Sequence, residues 1–126
     1  ASAMIMFDKV CVETHPGLKA AEKAVRSQAF QQNPDTGTFY HRNLDLSIKL
    51  IPENGGACSM VFGSSDDANV LAIALASTAS ANKSISVDPD TGTATAKGPG
   101  NSTFSFRPTG RYGNRNYFHA VLAPRN

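Results

Sequence analysis

The segment Leu44–Leu50, LDLSIKL, places Leu44, Leu46, Ile48 and Leu50 in strict alternation with Asp45, Ser47 and Lys49. Successive side chains of a β-strand point to opposite faces, so this pattern predicts a strand with one buried and one solvated face. Pro52 to Gly56 supplies a loop, and Cys58, Met60 and Phe62 then alternate in the same way. The two segments read as an antiparallel hairpin with Cys58 turned inward.

Upstream, Asn33-Pro34-Asp35-Thr36-Gly37 combines a proline, an aspartate and a glycine that stop a helix and reverse the chain. The helix it ends carries Leu18, Ala21, Val25 and Ala29 on one stripe, with Lys19, Glu22, Lys23 and Arg26 mostly off it. Glu22 and Arg26 stand at the favourable i,i+4 separation. Thr14 or His15 is placed to cap this helix, and Pro16 to occupy its first turn. Before it, Phe7, Val10 and Val12 among polar neighbours predict a short strand or extended segment.

Downstream, Ser64-Ser65-Asp66-Asp67 predicts a second helix start, with a serine cap and acids favoured by the helix dipole. Val70, Leu71, Ile73, Ala74 and Leu75 cover most of this helix's circumference, so it is expected to be more enclosed than the first. After Asn82, Ile85–Val87, the turn at Asp88–Gly92 and Thr93–Lys97 describe another hairpin. Thr103–Arg107 and Asn116–Leu122 add two strands, with Pro108–Asn116 as the loop between them. The expected fold is α+β, a two-layer sandwich in which an antiparallel sheet of five to six strands carries two helices on one face. The string Pro-Asp-Thr-Gly-Thr occurs at Pro34–Thr38 and again at Pro89–Thr93. The remainder of the two halves does not align, and Pro-Asp-x-Gly is by itself a good turn sequence.

The 126 residues, 40% hydrophobic and 17% charged, suit one domain spanning 1–126 with a single core. Residues 1–6 read as a flexible N-terminal segment, left by processing or by a tag. The longest nearly apolar stretch, Ala68–Ala81, is shorter than the ~20 residues a membrane span needs. Two cysteines, Cys11 and Cys58, each lie in an apolar stretch and are expected to form one disulfide, which points to a secreted or periplasmic setting. No zinc, thioredoxin or phosphate-loop spacing is present, so no metal or cofactor is implied.

Chemistry is sparsely signalled. There is no Gly-x-Ser-x-Gly elbow, and the carboxylates are scattered at turns and a helix start. Of His15, His41 and His119, the last is set opposite the core face of the final strand, beside Tyr117. The unusual feature is charge asymmetry: no acid follows Asp90, while Lys97, Arg107, Arg111, Arg115 and Arg125 all do, interleaved with Tyr112 and Tyr117. Arginine and tyrosine are favoured at binding surfaces. The leading expectation is therefore a non-enzymatic, extracytoplasmic domain that docks on or inhibits another protein, its partner an acidic protein surface or other anionic ligand. Its candidate site is Arg107, Arg111, Tyr112, Arg115, Tyr117 and His119. The alternative is a small hydrolase pairing His119 or His41 with a carboxylate. Nucleic-acid binding is disfavoured by a net charge of only +2.

Overall fold

The computed structural model describes residues 2–80 and 84–124. Ala1, Ala81, Asn82 and Arg125, on which parts of the sequence reading drew, lie outside the described residues. The chain begins with α1 (Ser2–Phe7), which runs into a π-helical turn (Asp8–Val12), followed by α2 (Leu18–Arg26). Four strands come next: β1 (Phe30–Gln32), β2 (Phe39–His41), β3 (Leu46–Ile51) and β4 (Ala57–Ser64). After α3 (Ala68–Ser80) come β5 (Ser86–Asp88), β6 (Thr93–Lys97), β7 (Ser102–Tyr112) and β8 (Arg115–Pro124).

All eight strands form one antiparallel sheet in the order β1-β2-β3-β4-β8-β7-β6-β5. The α+β class and the antiparallel sheet agree with the sequence, but the sheet has eight strands, not five to six, and the helices number three, not two. The two missed strands, β1 and β2, are three residues each, too short to show a period.

The order is two-fold about the β4–β8 junction: a helix followed by four meandering strands occurs twice. The repeated Pro-Asp-Thr-Gly-Thr strings fall at equivalent places, in the β1–β2 and β5–β6 turns at opposite sheet edges. Their hydrogen bonds coincide. Gly37 N–H donates to Asn33 O (2.8 Å) and Gly92 N–H to Asp88 O (2.9 Å). Asp35 N–H donates to Asn33 Oδ1 (2.9 Å) and Asp90 N–H to Asp88 Oδ1 (3.0 Å). Gly37 and Gly92 both adopt positive φ, 77° and 74°, which glycine tolerates without steric cost.

The N-terminal expectations are corrected. Ser2–Phe7 forms a helix, and Phe7–Val12 continues into a helical turn instead of a strand. The buried residues there are Phe7, Val10 and Cys11, an i, i+3, i+4 set, so the period is helical. The cap of α2 is Gly17, with no side-chain bond from Thr14 or His15, and Pro16 lies in the preceding turn. Ala21 and Val25 bury the predicted face and Glu22 pairs with Arg26 at 3.2 Å, but Ala29 is exposed beyond the helix end. For α3 the cap is Asp67, not a serine: its Oδ2 accepts from the N–H groups of Asn69 (3.0 Å) and Val70 (3.2 Å).

One core joins the helices to a single sheet face. Leu46 and Ile48 of β3, Cys58, Met60 and Phe62 of β4, Phe104 and Phe106 of β7, and Phe118, Ala120 and Leu122 of β8 all point into it. The predicted LDLSIKL alternation holds at its centre, while Leu44, which precedes β3, and Leu50 are half-buried. Cys11 and Cys58 are bonded, with Cα atoms 5.5 Å apart, tying the π-helical turn to β4. No helix among the described residues is long and apolar enough to cross a membrane.

Candidate functional site

The helices cover one face of the sheet and leave the other open, and strand alternation decides which residues reach the open face. Directly paired residues share a face, so the register Gln31↔Tyr40↔Ser47↔Val61↔His119↔Arg107 is a row across six strands of the open face. A second row runs Lys49↔Ser59↔Val121↔Ser105↔Thr95↔Ser86.

The β7–β8 hairpin extends this surface. β6 flanks β7 only as far as Phe106, which leaves the outer edge of Arg107–Tyr112 unpaired, while β4 accompanies β8 as far as Asn116. The end of the hairpin beyond the register shift, Gly110–Tyr117, is an arm with one free edge, and its turn Tyr112–Arg115 passes both flanking strands. What the sequence suggested as a loop over Pro108–Asn116 is continuous strand. A register shift between Pro108 and Gly110 bends it, and Gly113-Asn114 turns it. Gly113 has φ 65°, the conformation a type II′ hairpin requires of glycine at its first central position. Pro108 and the bulge spoil the free edge of β7 as a template for another strand.

The six candidate residues are all brought to this hairpin but not to one face. Arg107, Tyr112, Arg115, Tyr117 and His119 share the open face. Arg111, paired with Asn116, points to the opposite side and donates from Nε to the Gly113 carbonyl at 3.2 Å. Tyr112 is 79% exposed.

Arg115 and Tyr117 are engaged internally by a residue that sequence reasoning placed only on the solvated side of β3. Asp45 Oδ2 accepts from Tyr117 O–H at 2.6 Å and from Arg115 Nε at 3.1 Å, and Arg115 Nη2 also donates to the Gly63 carbonyl. Donation to the Asp45 carboxylate, with some desolvation, holds the Tyr117 phenol above its ordinary value of 10.0. Gly63 is required here, because a Cβ would lie 2.3 Å from Asp45 Oδ2 and 2.8 Å from the Tyr117 ring. The cluster fixes the base of the arm against β3 and β4.

His119 sits at the centre. Its Nε2 lies 2.6 Å from Ser59 Oγ and its Nδ1 3.4 Å from Arg107 Nη2. A guanidinium can only donate, so Nδ1 is the acceptor and the ring proton is on Nε2, directed at Ser59. In that tautomer His119 is not the base that a serine nucleophile needs. Burial, then the Arg107 charge, lower its pKa from 6.5, so the ring is neutral at pH 7.

A stability signature follows. With the folded pKa depressed, the unfolded chain takes up the proton first. The contribution of neutral His119 is fully present above pH ~6.5 and is lost as pH falls through the folded value. His119→Asn is expected to reduce the drop in melting temperature between neutral and mildly acidic buffer. An identical drop in both proteins would show that His119 is not the group responsible.

Among the described residues, no carboxylate is hydrogen-bonded to His119 or His41. His41 Nδ1 accepts the backbone N–H groups of Asn43 (3.1 Å) and Leu44 (3.0 Å), which closes the turn after β2. Among the described residues no cluster of three or more histidine, cysteine, aspartate or glutamate side chains could hold a metal ion. His15 packs near Gly100, away from the other two. No protein-family model, curated protein sequence or solved structure matches this chain.

Proposed function

We propose that this chain is a non-enzymatic, extracytoplasmic binding domain that docks on, and thereby blocks, an acidic surface of another protein through the β7–β8 arm. The observation that carries the reading is the arm itself. Its β7 edge is free of β6 beyond Phe106, it is fixed by Asp45, Arg115 and Tyr117, and beside its turn it presents Arg111 and the exposed ring of Tyr112. A braced hairpin loses little conformational freedom on binding, and tyrosine adds rigid, amphipathic area. The absence of acids beyond Asp90 gives the arm a uniform sign that steers it toward a negative partner. The Cys11–Cys58 disulfide supports an oxidising compartment.

The test is a comparison of complexes formed by the parent protein and its tip variants in extract from the native source. Tyr112→Ala is expected to weaken the complex by about 2 kcal/mol, the scale of a buried aromatic anchor. Arg111→Ala should act chiefly on association rate and salt dependence. Neither should lower the melting temperature, since both side chains are exposed. Retention of the same partner at the same affinity by both variants would remove the arm from the interface.

A further inference from the structure

Away from the turn of the β7–β8 hairpin, the open face carries cations without counter-charges. Lys49, Lys97 and Arg107 all point to it, and no carboxylate of the described residues lies within ion-pair distance of any of them. Two described acids are engaged elsewhere: Asp45 with Arg115 and Tyr117, and Asp88 in closing the β5–β6 turn. Between the cations the face is built from Ser47, Ser59, Val61, Ser105 and Val121. Arg107 is also oriented. One Nη points at His119, itself held by Ser59, so the guanidinium keeps other donors free toward solvent.

We propose that this open face, with Lys49 and Arg107 as its two charged anchors and the Ser59–His119 pair as their support, is a docking site for an extended acidic peptide segment. The proposal rests on the binding-module reading above and assigns the segment to the same partner. Arg107 and Lys49 stand on β7 and β3, three inter-strand spacings apart and offset by two residues along the strands, about 16 Å in all. An extended chain advances about 3.4 Å per residue, so acids about five residues apart match the two anchors. An oriented guanidinium suits a carboxylate, which it can grip with two parallel bonds. Three free cations are too few for the run of phosphate contacts on which nucleic-acid affinity depends.

The experiment is an NMR titration of the full chain with a synthetic Glu-Ser-Ser-Ser-Ser-Glu peptide, its ends blocked, at low ionic strength. Amide shifts are expected to centre on Ser59, Val61, Arg107 and His119. The Lys49→Gln/Arg107→Gln double variant is expected to bind about tenfold more weakly, a loss equal to about 1.4 kcal/mol. Tyr112→Ala should titrate like the parent. Three results would overturn the proposal: shifts confined to the arm tip, an undiminished titration in the double variant, or tighter binding of an oligonucleotide or sulfated disaccharide at the same face. The first of these leaves the arm reading standing. Conversely, unchanged partner capture by the tip variants, alongside open-face shifts that the double variant abolishes, would sink the arm reading and keep this one.

Discussion

Phe118→Ala is expected to lower the unfolding free energy by about 3 to 5 kcal/mol, the largest single-residue loss we anticipate. Phe118 is 1% exposed and stands on β8, which is paired on both sides, with β4 and with β7. Its ring centroid lies 5.4 Å from that of Phe106, stacked, and 5.5 Å from that of Phe62, tilted. Truncation removes the apolar area of one ring and leaves a cavity between two others. Neither neighbour can close it, because each is fixed by its own strand register. Val121→Ala, three residues on and facing the open side, should cost far less. Urea denaturation of the two variants makes the comparison, and similar midpoints would mean that the open face is buried in solution.

Removing the disulfide ranks with it. Cys11 and Cys58 are 47 residues apart, and closing a loop of that length stabilises the fold by about 4 kcal/mol on the chain-entropy model. The loop contains α2, β1, β2 and β3, so its release frees nearly the whole first half of the sheet in the unfolded ensemble. A domain of this size is stable by about 5 to 15 kcal/mol, and the bond is therefore a large fraction of the total. Cys11→Ala/Cys58→Ala should unfold at much lower denaturant concentration than the parent protein. A shift equivalent to less than about 1 kcal/mol would mean that the unfolded chain is already compact across this loop. Before reduction the parent protein should take up no alkylating agent even when denatured.

The reach of the sequence is clearest where side-chain period and geometry coincide. LDLSIKL showed its strand because seven residues of alternation cannot be satisfied by a helix with one buried face. The disulfide was legible because only two cysteines exist and both sit in apolar stretches. Phe7, Val10 and Val12 failed as a guide because three apolar residues fit either period, and docking of Phe7 and Cys11 on the core selected the helix. The arm was misread as a loop because Pro108, Gly110 and Gly113 are loop residues by local preference. In the folded chain they serve as bulge and turn of a strand pair whose pairing partners lie on both sides of them.

The candidate site divides along the same line. Composition alone marked the acid-free, arginine- and tyrosine-bearing end and named Arg107, Arg111, Tyr112, Arg115, Tyr117 and His119. It had no means of showing that Arg111 faces away from the other five, since a bulge shifts the phase of everything beyond it. Nor could it find Asp45, Ser59 and Lys49, which enter through pairing of β3 with β4 and of β4 with β8, across separations of up to 72 residues. By itself the sequence determined which segments have an apolar face, where the chain turns, which cysteines can bond and where the positive charge collects, because each depends on neighbours within a few positions. The tertiary structure alone decided the strand order, the open face and the hydrogen-bond partners of His119 and Asp45. Those follow from long-range register, which is set by burying all the apolar faces in one core at once.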